Sequence, residues 1–182
     1  MLSFFYELIG KGRDFPYFCK VNQKRTYEIY IISSRTHCRK TLYHRNDYVE
    51  RTRHFISFDM EVIPELKNTK NLSMEQQKEK EGELILKALL PGDVVVLLDE
   101  HGKEFRSVEF ANWIERKMHT VNKRLVFIIG GPYGFAPKIY DAAQEKISLS
   151  KMTFSHQMIR LIFVEQLYRA MTILNNGPYH HE

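Results

Sequence analysis

Two short runs, "DVVVLLDE" (residues 93–100) and "RLVFIIGG" (residues 124–131), carry apolar side chains at almost every internal position. A strand with one wet face alternates apolar and polar residues. A strand with none reads as a continuous β-branched and leucine run, and these do. Burying both faces of a strand takes helices on each side of the sheet. The segment between the runs, residues 108–118, has Trp113 and Ile114 placed inward on such a helix. Strands alternating with helices predict an α/β fold with a mainly parallel sheet flanked by helices.

The flanking segments extend that pattern. "FDMEVIPE" (residues 58–65) puts Phe58, Met60 and Val62 on one face of a half-buried strand. Ser73 stands three residues before Gln76, the spacing of a capping box. It opens a helix that is charged at first, apolar at Leu84, Ile85, Ala88 and Leu89, and ended by Pro91-Gly92. "HGKEFRS" (residues 101–107) reads as the turn after the first buried strand. Pro137 suits the first turn of a short helix through Ala143, and "KISLS" (residues 146–150) reads as a third strand of this half. Before residue 47 the pattern is poorer. "TYEIYIISS" (residues 26–34) has the composition of a strand, but "RTHCRKTLYHRN" shows no helical stripe.

The last predicted helix, "SHQMIRLIFVEQLYRAMTIL", is apolar well beyond one stripe, from Met158 through Phe163 and Leu167 to Leu174. Such a helix is deeply buried or meets a second subunit, and in a chain of 182 residues a homodimer interface is the expectation. No uninterrupted run of 18 apolar residues exists, so no membrane span is expected. The first residues lack a basic start and a small-residue cleavage site, and Cys19 and Cys38 form no CxxC pair. A cytoplasmic protein is the expectation.

The formal charge of +5 invites a nucleic-acid partner, but its placement qualifies that. Residues 1–54 hold 11 Lys and Arg against 5 Asp and Glu, whereas residues 55–182 hold 16 against 17. A nucleic acid bound by the C-terminal two-thirds would therefore meet a few placed cations, not a broad field.

The turn Gly130-Gly131-Pro132-Tyr133-Gly134 follows a buried strand. It lacks the Lys-Ser/Thr ending of a phosphate-cradling P-loop, and it lacks G-x-G-x-x-G. What remains is a glycine turn at the carboxyl end of a parallel strand, where open α/β sheets bind ligands, or one that uses glycine only for its backbone freedom. "LSKMTFSHQ" (residues 149–157) is either a helix cap built on Ser155 or Thr153, or a loop that wraps a nucleoside. Arg160 stands one turn after His156 on the apolar helix, in a structural ion pair or aimed at substrate. Asp99 and Glu100, at a strand end, suit acid–base work, ribose binding or a structural role equally. Tyr179, His180 and His181 read as a solvated tail or as groups that reach an RNA base, and no partner is spaced for zinc.

Together, "EKEGELIL", "LLDEHGKEFRSVEFA", "FIIGGPYGF", "ISLSKMTFSHQMIRLIFVEQLYRA" and "ILNNGPYHHE" closely resemble the RlmH family. These bacterial enzymes methylate N3 of a pseudouridine in large-subunit (23S) ribosomal RNA. The resemblance runs from about residue 47 to residue 182, and several motifs in fixed order make it specific. It implies a SPOUT methyltransferase fold whose C-terminal part forms a deep trefoil knot, a homodimer, and S-adenosyl-L-methionine bent into that knot with no metal. Periodicity would not have suggested a knot, since knotted chains are rare. By the same resemblance Leu98 and Gly131 contact the cofactor, and Leu149, Ser150, Lys151, Met152, Thr153 and Phe154 form the loop that encloses it. His156, Arg160, Tyr179 and His180 would surround the target base. The implied partner is 23S rRNA in the assembled ribosome, with no DNA and no membrane.

The chain departs from the family at its front. Members begin with a strand that runs into a Gly-Lys/Arg-Thr turn and an amphipathic helix, whereas Ser34 stands here where glycine is expected. Residues 1–25 are set apart as an atypical N-terminal extension, which a misplaced start or a reading-frame change in the source gene would explain. Residues 26–182 form one methyltransferase domain, with the knot and cofactor site within about residues 94–182. Two rivals stand beside this reading. A nucleotide- or NAD-binding enzyme on an ordinary doubly wound sheet lacks its fingerprint. A non-catalytic ribosome-binding or assembly factor would keep the fold without "GGPYG" and "LSKMTF" needing to stay intact.

Overall fold

A computed structural model describes residues 27–34, 39–66 and 68–179. Five strands and five α-helices alternate along them. Strand β1 (Glu28–Ser34) leads to α1 (Arg39–Arg53), β2 (Ser57–Ile63), α2 (Met74–Ala88) and β3 (Val94–Glu104). Then come α3 (Ser107–Thr120), β4 (Arg124–Ile129), α4 (Pro137–Ala142), β5 (Glu145–Ser148) and α5 (His156–Leu174). All strand pairs are parallel and the order is β2-β1-β4-β3-β5.

The central strands are buried on both faces, as their composition requires. Ile29 and Ile31 of β1, Val96 of β3, and Leu125, Phe127 and Ile129 of β4 point into a core closed by α1, α3 and α5. Their sequence neighbours Ile32, Val95, Leu97, Val126 and Ile128 point the other way, into a smaller core under α2 and α4. The first core is rich in rings. Phe127 and Phe163 lie 4.6 Å apart, and Trp113 stacks on Phe110 at 5.9 Å. Each such fully buried side chain contributes about 1.5–3 kcal/mol.

Local signals place the helix ends. Ser73 caps α2: its hydroxyl accepts from Gln76 N–H at 3.1 Å, and the Gln76 side chain accepts from Ser73 N–H at 3.0 Å. Ile85 is buried, and Leu84, Ala88 and Leu89 pack beside it. Pro137 occupies the first turn of α4, and Ser155, one of the two expected caps, opens α5. Phe58 and Met60 of β2 share the large core, while Ile63 serves the other.

Two expectations are corrected. The segment without a helical stripe becomes α1 from Arg39 onward, because its C-terminal half supplies the tertiary contacts. Val49 is buried, and the Tyr48 ring lies 5.8 Å from Tyr168 of α5. Packing against α5 overrides a weak local pattern. β1 lies within the run at residues 26–34 whose composition suggested a strand, and it sits between β2 and β4. The second correction concerns residues 101–104, expected as a turn. β3 pairs with β5 through Leu98, leaves through Asp99, Glu100, His101 and Gly102, and returns so that Lys103 and Glu104 pair with Ile147 and Ser148. The detour needs glycine at position 102, since a Cβ there would lie 2.5–2.7 Å from the backbone of Ile147.

The atypical residues 1–25, and Arg35 and Thr36 after Ser34, lie outside the described residues. Among the described residues no helix is long and apolar enough to cross a membrane.

Replacing Gly102 by alanine should force β3 and β5 apart and cost about 2–4 kcal/mol. Urea unfolding of the variant checks this, and an unchanged midpoint would remove the close approach as a constraint.

Candidate functional site

Parallel pairing brings the carboxyl ends of β3, β4 and β5 to one edge of the sheet. Leu98 lies there between Ile129 of β4 and Ile147 of β5. Gly130 and Gly131 leave the sheet directly after Ile129, and Leu149 leaves it directly after β5. Three stretches far apart in sequence, those of Leu98, Gly131 and Leu149, therefore begin on three adjacent strand ends.

The loop after β5 turns on its own serines. Ser148 Oγ donates to the Ser150 carbonyl at 3.1 Å, and Met152 N–H donates to Ser150 Oγ at 2.9 Å. Leu149 packs on the large core, and Phe154 is half-buried. Lys151, Met152 and Thr153 face solvent, Met152 at 73% exposure, so an apolar side chain stands open at the edge. Lys151 lies 3.9 Å from Glu104, and both are too exposed for that pair to fix the loop. Behind Leu149 lies a cavity of about 230 Å³, walled by Phe105, Phe110, Ile147, Ser148, Ile162 and Gln166.

The glycine turn closes through Gly134 N–H, which donates to the Gly131 carbonyl at 3.1 Å. Pro132 at its second position and a glycine at its fourth suit a tight four-residue turn, and Gly134 adopts φ +78°. At Gly131 the constraint is space. A Cβ there would collide with the Glu81 carboxylate of α2. Nothing in the local sequence ties Glu81 to this turn, fifty residues away.

Asp99, next to Leu98, is buried at 8% exposure. Its Oδ1 accepts from His101 N–H at 2.8 Å and lies 3.2 Å from His101 Nδ1, and its Oδ2 accepts from Tyr140 Oη at 2.7 Å. Burial by itself would raise the Asp99 pKa. The hydrogen bonds from Tyr140 and His101 outweigh it and hold the carboxyl below its ordinary value. The Tyr140 hydroxyl is pushed up to about 12 by burial and by its bond to Asp99. Asp99, Glu100 and His101 form the one grouping among the described residues with metal-ligand atoms close together. Asp99 already spends both oxygens on protein donors.

Of the four residues expected around a substrate, three are among the described residues and lie on or beside α5. His156 opens α5. Arg160 is buried, on the α5 face that also holds Phe163, Val164 and Leu167. Tyr179 sits further along the helix: its hydroxyl is 3.1 Å from that of Tyr48 and donates to Glu165 Oε1 at 3.1 Å, and Arg169 lies over its ring at 4.8 Å. Burial, the Tyr48 bond and the Glu165 charge all raise the Tyr179 pKa. Glu165 is nine residues past His156, which on an α-helix is about 13 Å along the axis. His180 lies outside the described residues, as does His181.

The two turn glycines should respond differently to alanine. Gly131→Ala meets only the far end of the flexible Glu81 side chain, which can swing aside, and should cost less than about 1 kcal/mol. Gly134→Ala meets open space and should cost only the left-handed strain, about 1 kcal/mol. Paired denaturant titrations with a Glu81→Ala background separate the two, because only the Gly131 penalty should shrink.

Known proteins resemble this chain in sequence. The family model described as "Predicted SPOUT methyltransferase" matches residues 27–180. "Ribosomal RNA large subunit methyltransferase H" of Phocaeicola vulgatus is 99% identical over 137 residues, 75% of this chain and 87% of that protein. The protein of the same name from Bacteroides fragilis is 85% identical over the same shares. A solved structure, a probable methyltransferase from Bordetella pertussis, overlays with a TM-score of 0.48 at 9% identity, over 80% of this chain and 94% of that one. With a family match that spans all the described residues, the chain belongs to the SPOUT methyltransferase family.

Proposed function

We propose that this chain transfers a methyl group from S-adenosyl-L-methionine to N3 of a pseudouridine in 23S rRNA, acting as a homodimer on the assembled ribosome. The observation that carries the reading is 99% identity, over 137 residues, to a protein named as a large-subunit ribosomal RNA methyltransferase. The convergence of three strand ends supports it. The expected cofactor residues Leu98, Gly131 and Leu149 start from adjacent positions on that edge.

The residues there suit such a cofactor. A folded-over nucleoside with an aminoacyl arm needs close backbone approach, backbone polar groups that no sheet partner uses, and apolar walls. Gly131 offers the first, the loop of Ser150, Lys151, Met152 and Thr153 the second, and Leu98, Leu149 and Phe154 the third. When bound, S-adenosyl-L-methionine supplies an electrophilic methyl on a sulfonium, so the chemistry asks for no metal. The chain's part is to hold N3 of the base in line and exclude water. The N3 proton must leave as the N–C bond forms, and His156 and His180 are the side chains we assign to that end of the reaction. Arg160 would stabilise negative charge on the imide oxygens, and Tyr179 would orient the base. Because Tyr179 is held at Glu165, which stands about 13 Å along α5 from His156, we read the site as assembled from two copies of the chain. The surplus of half-buried apolar residues on α5, with Met158 43% exposed, supports that pairing. The deep trefoil knot, within about residues 94–182, belongs to this proposal and rests on family membership.

The near-balanced charge of residues 55–182 favours a substrate recognised by shape in an assembled particle. Methylation of assembled ribosomes should therefore exceed that of naked 23S rRNA by at least about a hundredfold, measured as N3-methylpseudouridine by mass spectrometry of nucleosides. Equal rates would sink the ribosome requirement. A protein that binds S-adenosyl-L-methionine in neither assay nor calorimeter would sink the enzyme, leaving a ribosome-binding factor. For the two-copy site, equal mixing of inactive Arg160→Ala and Tyr179→Ala chains should restore about a quarter of wild-type turnover, since half the dimers then carry one intact site of two. Mixtures as inactive as their parents would show that each chain builds its own site.

A further inference from the structure

The site described so far is a set of loops, and loops need something rigid to hold them. Leu98 is the last residue of β3 paired in the first register with β5, and the chain then leaves the sheet for four residues before returning at Lys103. The start of that detour is fixed by one side chain. Asp99 Oδ1 accepts from His101 N–H at 2.8 Å, two residues on, and so folds the chain back upon itself directly beside Leu98. The other oxygen reaches a different element: Oδ2 accepts from Tyr140 Oη at 2.7 Å. Tyr140 lies on α4, the helix that the glycine turn enters, and its ring meets Phe135 edge-on at 5.7 Å, just past Gly134. One buried carboxylate therefore ties the β3 exit to the helix after the glycine turn. It is charge-assisted at both oxygens, the stronger class of hydrogen bond.

We propose that Asp99 is a positioning residue for the methyl donor. It holds Leu98 and α4 in one frame, and so sets the spacing between the β3 exit and the Gly131 turn without touching the donor. This rests on the reading of these strand ends as a cofactor site. Asp99 is then neither an acid nor a base in the reaction, although its place at a strand end invites that role. Its two oxygens are occupied by His101 and Tyr140.

The test compares three variants of the full-length protein by calorimetry with S-adenosyl-L-methionine. Asp99→Ala loses both ties and should weaken binding by about ten- to a hundredfold. Asp99→Asn keeps a carbonyl for His101 N–H and loses only the carboxylate that receives Tyr140, so it should lose about three- to tenfold, like Tyr140→Phe. Arg124→Met serves as a control at the opposite edge, where Arg124 pairs with Asp93 at 2.5 Å at the amino ends of β4 and β3. It should lower thermal stability while the molecules that remain folded bind with unchanged affinity. A merely structural role for Asp99 would behave as the control does, lowering the bound fraction but not the affinity, and would overturn the proposal. Should Asp99→Ala fail to fold, the other pair decides: wild-type affinity in both Asp99→Asn and Tyr140→Phe overturns it equally. In turnover assays the Asp99→Asn variant should raise KM for the donor and leave KM for the ribosome unchanged, and a fall confined to kcat would assign Asp99 to the chemistry. Failure of the wild-type protein to bind the donor would instead strike the proposed function.

Discussion

Everything at the functional edge depends on parallel pairing. In a parallel sheet each strand ends on the same side, and each connection must cross back through a helix. With five strands so paired, β3, β4 and β5 deliver their exits to neighbouring positions, although their sequences are separated by whole helices. The doubly buried strands enforce this, since a run such as Leu125 to Ile129 is stable only with helices over both its faces. Core and site are thus one design: burying the strands is what lines up their ends.

Much of this was legible in the residues, and the reasons are specific. Continuous apolar runs gave β3 and β4, and the Ser73–Gln76 spacing gave the start of α2, because both signals are local. The glycine turn and the loop after β5 were visible as punctuation. α1 was not legible, since its stability comes from Tyr48 and Val49 packing on the core that α5 completes, more than a hundred residues away. The return of β3 at Lys103 was hidden for a related reason: it depends on Gly102 lying against Ile147, a contact that no periodicity records. Of the site, its motif residues could be read, but the Glu81 carboxylate behind Gly131 and the Tyr140 hydroxyl on Asp99 could not.

Helix α5 serves both the large core and a polar cluster beside it. Its inner stripe, Phe163, Val164, Leu167, Ala170 and Met171, completes the large core. Just off that stripe, Glu165 and Arg169 form an ion pair at 2.5 Å and gather Tyr179 and Tyr48 around it. Asn176 in the left-handed region, with Gly177 N–H donating to the Thr172 carbonyl at 2.7 Å, turns the chain back so that Tyr179 can reach that cluster. The tail is held by a partly buried polar knot of side chains, which burial alone would not have selected.

The place of β1 has a consequence for how the chain is made. Its right-hand neighbour β4 pairs Arg124 with Glu28, so one flank of an interior strand waits for most of the polypeptide to be synthesised. Until then Ile29, Ile31 and Ile32 belong to an open-edged parallel βαβ unit with β2 that offers main-chain donors and acceptors to any passing strand. Acquisition of the native state by a nascent chain of this topology is paced by its most distant pairing, and ribosome-associated chaperones would find their substrate in that first βαβ segment.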